Sequence, residues 1–180
     1  MKKILKKIYD FYLKAKSISY GKKRKKETIR GIVIHNTGNQ GDSAKNNVIF
    51  FSKQGGNTRA AGAHFFIDQT GYIGKSIPME LTAWSVGNPS GCYKVGQYGH
   101  ILNNSNTVSI ELCDIMDKAP STAMLESLDK VVRHIKKYCP NVDIICRHYD
   151  VVQKDCPHRY VADVEAWKKL QKRLYDQIRG

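Results

Sequence analysis

Three side chains in this sequence could share a metal ion. His35 closes the run Ile32-Val33-Ile34-His35 and is followed by Asn36-Thr37-Gly38. His148 and Cys156 lie eight residues apart in Arg147-His148-Tyr149-Asp150-Val151-Val152-Gln153-Lys154-Asp155-Cys156-Pro157. Two imidazoles and one thiolate can hold zinc through three protein bonds and leave a fourth position for water. Zinc brings the pKa of that water down to about 7, so hydroxide becomes available at neutral pH. This chemistry points to a hydrolase. Each residue also has a plainer reading. A histidine at a strand end is commonly a hydrogen-bonded structural residue, and a lone buried cysteine is commonly a small apolar filler. Their joint placement, at the end of one apolar strand and in the loop after another, is what makes the metal reading competitive.

The elements that must position these groups follow from periodicity. Gly31 to His35 reads as a buried central strand. Asp42 or Ser43 can cap a helix over about 44–54, ended by Gly55-Gly56. Ala63 to Asp68 and Tyr72 to Ser76 read as a hairpin around Thr70-Gly71. Leu81 to Val86 is a short extended segment. Residues 87–106, rich in Gly and Asn, form a loop long enough to suggest function. Thr107 to Cys113 is a further strand. A helix runs from Ser121 or Thr122 to about Tyr138, with Leu125, Leu128, Val131, Val132 and Ile135 on one face. Val142 to Cys146 is the next strand, and Tyr160 to Ile178 a closing helix. Strands interleaved with covering helices make an α/β domain, one mostly buried sheet with helices on its faces.

Length and composition fit that reading. A chain of 180 residues suits one domain plus an extension, and a domain this size is stable without disulfides. Five cysteines at irregular spacing suggest reduced thiols rather than a disulfide framework. No run of 18 apolar residues is present, so no segment reads as a membrane span. Residues 1–30 carry ten of the fourteen net positive charges. Within them, residues 2–16 place Ile4, Leu5, Ile8, Phe11, Tyr12 and Ala15 at helical spacing, which predicts a basic amphipathic helix. Ser17 to Lys26 reads as a polar linker, giving a basic arm and linker over 1–27 and a catalytic domain over 28–180. The arm is expected to pack on the domain or to attract anionic wall polymers or a membrane surface. Nucleic acid is not the expected partner, because no stacking platform or helix-turn-helix accompanies the charge. Lysines and Asp10 interrupt any signal-peptide core. The expectation is a protein made in the cytoplasm, with the basic arm as its targeting element.

The chain resembles the zinc-dependent N-acetylmuramoyl-L-alanine amidases shared by phage endolysins, bacterial autolysins and peptidoglycan recognition proteins. The matching pieces are Ile32 to Gly38, Ala61-Gly-Ala-His-Phe-Phe-Ile-Asp68, Ala83-Trp84, Asn106 to Cys113, and His148 through Lys154 to Cys156-Pro-His158. They run in the family's order over roughly residues 29–175 and are most similar to endolysins and prophage amidases of Gram-positive bacteria. The resemblance implies a central mixed β-sheet flanked by helices, one zinc ion on His35, His148 and Cys156, peptidoglycan as substrate, and action on the cell wall after release, with the arm doing the targeting that an added wall-binding domain does in other lysins. It implies Glu111 as the catalytic glutamate and Lys154 as a basic group stabilising the transition state. Asn36, Trp84 and His64 are candidates for substrate contact, His64 also reading as a buried histidine behind the metal. Tyr98 and His100 are weaker candidates for such contacts. Some relatives carry a catalytic tyrosine where Ala63 stands, so that role has no counterpart here. A non-catalytic peptidoglycan-binding module is the competing reading, and the presence of Cys156 counts against it.

Overall fold

The computed structural model describes residues 7–53, 60–87 and 91–179. Its centre is a six-stranded mixed sheet in the order β1 (Phe11–Tyr12), β5 (Ile73–Lys75), β4 (Phe65–Ile67), β7 (Thr107–Leu112), β3 (Gly31–Asn36) and β8 (Ile144–Arg147). Strand β3 (Gly31–Asn36) lies between β7 (Thr107–Leu112) and β8 (Ile144–Arg147), parallel to both. Beyond β7 come β4 (Phe65–Ile67), parallel to it, and β5 (Ile73–Lys75), the antiparallel hairpin partner of β4. Residues 31–35 are all buried, because a central parallel strand is covered on both faces.

Strand side chains alternate between faces, and that alternation separates core from site. Ile32 and Ile34 point with Phe65, Ile67, Val108, Ile110 and Leu112 into the main core. Two helices cover this face: α2 (Thr122–Tyr138) through Leu128, Val131 and Ile135, and α5 (Val164–Arg179) through Trp167, Leu170 and Leu174. The opposite face takes Val33, His35, Ser109 and Glu111, and part of it is covered by α1 (Ala44–Ser52) packing Val48 on Phe66. The capping expectations hold: Ser43 accepts from Asn46 N at 3.1 Å and Ser121 from Met124 N at 3.0 Å. Cys113, Cys139, Cys146 and Cys156 are buried thiols. Among the described residues no helix is long and apolar enough to cross a membrane.

The N-terminal arm departs from its expected form. Residues 1–6 and the Gly55-Gly56 stop lie outside the described residues, but residues 7–16 are extended rather than helical. Phe11–Tyr12 is β1, added parallel to β5 at the sheet edge, and Tyr20–Lys23 is β2, antiparallel to β6 (Leu81–Ala83). Within the described residues the apolar spacing that fits a helix is Ile8, Phe11, Tyr12 and Ala15, and the first three are types that also favour strands. The open edge of β5 decides between them: Asp10 N donates to Ile73 O at 2.9 Å and Ala15 N to Ser76 O at 3.1 Å. The closing helix also differs. It is split into α4 (His158–Ala162) and α5 at Asp163, whose carboxylate accepts from Ala166 N at 2.9 Å and so caps the second piece.

Residues 7–23 are therefore tied into the domain twice, through β1 in the central sheet and β2 in a separate two-stranded sheet with β6. Deleting residues 1–23 should lower the thermal midpoint by on the order of 10 °C, the effect of a few kcal/mol in a domain this size. Calorimetry on the zinc-loaded protein checks this, and an unchanged midpoint would mean the two pairings contribute nothing.

Candidate metal centre

Because β3, β7 and β8 run parallel in register, their C-terminal ends open on one edge of the sheet, where sites in α/β folds form. His35 is the penultimate residue of β3 and sits in register with Glu111 of β7. His148 begins α3 (His148–Val151) directly after β8. Cys156 follows on the next loop. These three side chains come together: one donor atom from each lies within 4.8 Å of the others. The sulfur of Cys156 is 3.7 Å from His35 Nδ1, and the two imidazoles meet edge to face at 4.7 Å. All three are buried.

Their electrostatics fit a cation. His35 Nε2 and both nitrogens of His148 are buried without a hydrogen-bond partner, although buried polar atoms normally have one. Burial holds both imidazoles neutral, which is the metal-binding form: His35 lies well below its ordinary range and His148 is lowered to about 3. Burial, and then the Glu111 charge, push the Cys156 thiol up to about 12. A metal among the three donors reverses this last effect, since a coordinating thiol is deprotonated outright.

Glu111 is the other anomaly. Its Oε2 is buried and has no partner, and burial raises its carboxyl to about 7, opposed by the Lys154 charge. Lys154 is exposed and borders two cavities. One, of about 480 Å³, is lined by Asn36, Thr37, Asn47, Phe50, Glu111 and Lys154 among others. The second, of about 510 Å³, includes Ala61, Trp84, Ser85, Asn104, His148 and Lys154. Of the three grouped donors, His148 lines the second cavity, while Glu111 lines the first.

The three expected substrate contacts separate. Trp84 is 38% exposed and walls the second cavity. Asn36 borders the first, but its amide is occupied: Nδ2 donates to Thr37 O at 3.0 Å and contacts Met116 Sδ, while Oδ1 accepts from His158 N at 2.9 Å. That last bond ties the end of β3 to the turn after Cys156, so Asn36 links the segments that carry His35 and Cys156. His64 is not a substrate contact. It is wholly buried: Nδ1 accepts from Ser109 N at 3.0 Å, while Nε2 lies 3.1 Å from Leu81 O and 2.9 Å from Arg24 Nη2. Tyr98 likewise packs against the Val33, Cys146 and Val151 cluster.

Two positioning residues escaped the sequence reading. Arg147 and Asp150 form a buried pair, Arg147 Nη2 donating to Asp150 Oδ1 at 2.7 Å, while Asp150 Oδ2 accepts Arg147 N at 2.9 Å. Arg147 also donates to Tyr160 O at 2.7 Å. The pair sets the start of α3, and with it His148, against the helix that follows Cys156. The signal was the i, i+3 spacing of arginine and aspartate around His148.

A buried His, His and Cys group on the open edge of a mixed sheet, beside a partnerless carboxylate, defines a candidate metallohydrolase. The chain belongs to the N-acetylmuramoyl-L-alanine amidase family, whose pattern it matches over residues 25–159. It is 28% identical over 157 residues to the N-acetylmuramoyl-L-alanine amidase CwlL of Bacillus licheniformis, covering 84% of this chain and 42% of that protein. It is 30% identical over 158 residues to a probable N-acetylmuramoyl-L-alanine amidase of the same organism, again 84% of this chain and 42% of the relative. The chain spans about two-fifths of the length of the curated relatives it matches. In fold it is similar to PlyL, with a TM-score of 0.68 at 23% identity over 91% of this chain and 94% of that one. It is also similar to the PlyG catalytic domain, with a TM-score of 0.71 at 20% identity over 94% and 95%.

His64 gives the fold an acid limit. Burial, with the Arg24 charge second, holds it well below its ordinary range, whereas in the unfolded chain it titrates near 6.5. The unfolded chain thus binds the proton more readily, so stability is full above about pH 6.5 and is lost as pH falls below it. The decline in thermal midpoint from about pH 7 to 5 should be shallower in His64→Gln than in the parent. Equal slopes would mean that His64 does not carry this titration.

Proposed function

We propose that this chain hydrolyses the amide joining the lactyl group of N-acetylmuramic acid to the L-alanine of the stem peptide in bacterial peptidoglycan. The observation that carries the proposal is the set of buried donors without partners, the His35 and His148 nitrogens, gathered with Cys156 beside an equally partnerless Glu111 oxygen. Held by His35, His148 and Cys156, one zinc ion would supply Lewis acidity to a water and to the amide carbonyl. Residues 28–180 would carry this chemistry, and the cell wall would be its place of action.

The remaining work falls to the protein's own groups. Glu111, at about 7, has a proton affinity suited to taking a proton from the attacking water and returning it to the departing amine. Lys154, bordering both cavities, would bring its ammonium against the amide oxygen as negative charge develops there. Arg147 and Asp150 would keep His148 in place through the cycle, as supporting residues around metal ligands do.

Zinc content and release of L-alanine amino termini from purified peptidoglycan test this together. The parent should hold one zinc and release the termini, and Cys156→Ala should lose both. Glu111→Ala should keep the metal and lose roughly 10²–10⁴-fold in turnover, the scale of general acid–base catalysis. A parent that binds muropeptides without zinc or cleavage would be a receptor, and loss of zinc from Glu111→Ala would overturn the role given to Glu111.

We also propose that the exposed lysines of residues 22–26 favour anionic wall polymers. Because the arm supplies two strands to the domain, charge reversal is a cleaner test than deletion. Lys25→Glu and Lys26→Glu combined should reduce sedimentation with walls severalfold at low salt while soluble muropeptides are cleaved as before. Salt-independent, unchanged wall binding would remove the idea.

A further inference from the structure

The wall of the second cavity is held by the arm. Trp84 N donates to Ser19 O at 3.2 Å and Trp84 O accepts from Gly62 N at 3.1 Å. The indole lies across Gly21: a Cβ placed there would come 2.5 Å from Trp84 Cζ2 and 2.6 Å from Cη2. Gly21 is not among the glycines with positive φ, so its bare Cα serves the ring's approach and not an unusual backbone turn.

Three residues on, Arg24 enters the protein with no carboxylate to meet it. Its Nε donates to Met79 O at 3.1 Å and its Nη1 to Asn104 O at 2.9 Å. Asn104 in turn accepts from Ser85 N at 2.9 Å and from Val86 N at 2.8 Å, the two residues after Trp84. The Nη2 of Arg24 lies 2.9 Å from His64 Nε2. Burying a cation against neutral groups is costly, and here its fork clamps the Asn104 turn to the arm. Trp84 and Asn104 face the cavity that His148 and Lys154 close on the other side. They also border a further cleft of about 490 Å³ whose lining includes Gly21 and Lys22.

We infer that Ser19–Arg24 is a positioning segment for the substrate groove, Gly21 seating the Trp84 indole and Arg24 seating Asn104, so that residues outside the metal cluster set affinity for the muramoyl-peptide substrate. The inference rests on the proposed amidase reading for its choice of ligand. It assigns the arm a part in binding that is separate from charge. Neither Gly21 nor Arg24 touches the reacting atoms, so both act on binding and leave the chemical step alone.

A cycle between Gly21→Ala and Trp84→Ala tests it on the zinc-loaded protein with a soluble muramoyl-peptide. Gly21→Ala should shift the indole emission, raise KM by ~10-fold and leave kcat within about twofold, the pattern of lost uniform binding. In the Trp84→Ala background the same change should alter KM by less than about twofold, because the two residues act as one unit. Arg24→Lys, which keeps the charge but cannot span both carbonyls, should also raise KM with kcat preserved. A KM effect of Gly21→Ala that persists without Trp84, or a shifted indole with unchanged KM, overturns the inference. So does an Arg24→Lys variant that loses only thermal stability. If Gly21→Ala fails to fold, Trp84→Ala must restore folding; failure to restore it has the same meaning. A parent that does not cleave the substrate refutes the amidase reading, and calorimetric Kd values for muramoyl-peptide on the same variants then decide the positioning role.

Discussion

The parallel register of β3 with β7 and β8 is the constraint on which the site depends. Gly31, Ile32, Val33 and Ile34 sit opposite Ile144 to Arg147 on one side, and Gly31 to Asn36 opposite Thr107 to Leu112 on the other. A slip of one residue would turn His35 and Glu111 into the face that α2 and α5 cover, and would bring Ile34 and Ile110 out of the core. The same hydrophobic pattern that fixes the core thus fixes which side the histidine and the glutamate take. Side-chain bonds then secure the less regular ligands: Asn36 to the turn after Cys156, and Arg147 to Asp150 and Tyr160 around His148.

That arrangement concentrates groups that are poorly satisfied by the protein alone. Buried imidazole nitrogens and a buried carboxylate oxygen without partners each cost about 1–3 kcal/mol. A fold retains such groups when a ligand satisfies them or when chemistry uses them. The burial that leaves them unsatisfied also keeps the histidines neutral and the carboxyl of Glu111 near 7. One physical cause, exclusion of water at the strand ends, therefore prepares both the metal donors and the candidate base.

Much of this was readable from residue order. The apolar run to His35 is the central strand, the Ser43 and Ser121 caps start their helices, and the three proposed ligands meet. What periodicity could not decide was the arm. Ile8, Phe11 and Tyr12 suit a helix by spacing and a strand by type, and the free edge of β5, formed by residues far along the chain, settled the matter. His64 was ambiguous for a similar reason: the backbone of Ser109 and Leu81 and the side chain of Arg24, brought in by tertiary packing, show that its ring is fully engaged. Arg24 looked like one basic residue in a run of five, and its burial depends on carbonyls of Met79 and Asn104 that no local pattern reveals.

The central claim is that His35, His148 and Cys156 form one metal centre, and zinc K-edge X-ray absorption on the protein loaded with one equivalent of zinc tests it most directly. The account predicts one sulfur at about 2.3 Å and two imidazole nitrogens at about 2.0–2.1 Å, with a further light atom completing the shell. The sulfur should vanish in Cys156→Ala. A shell without sulfur, or with more than one, would contradict it.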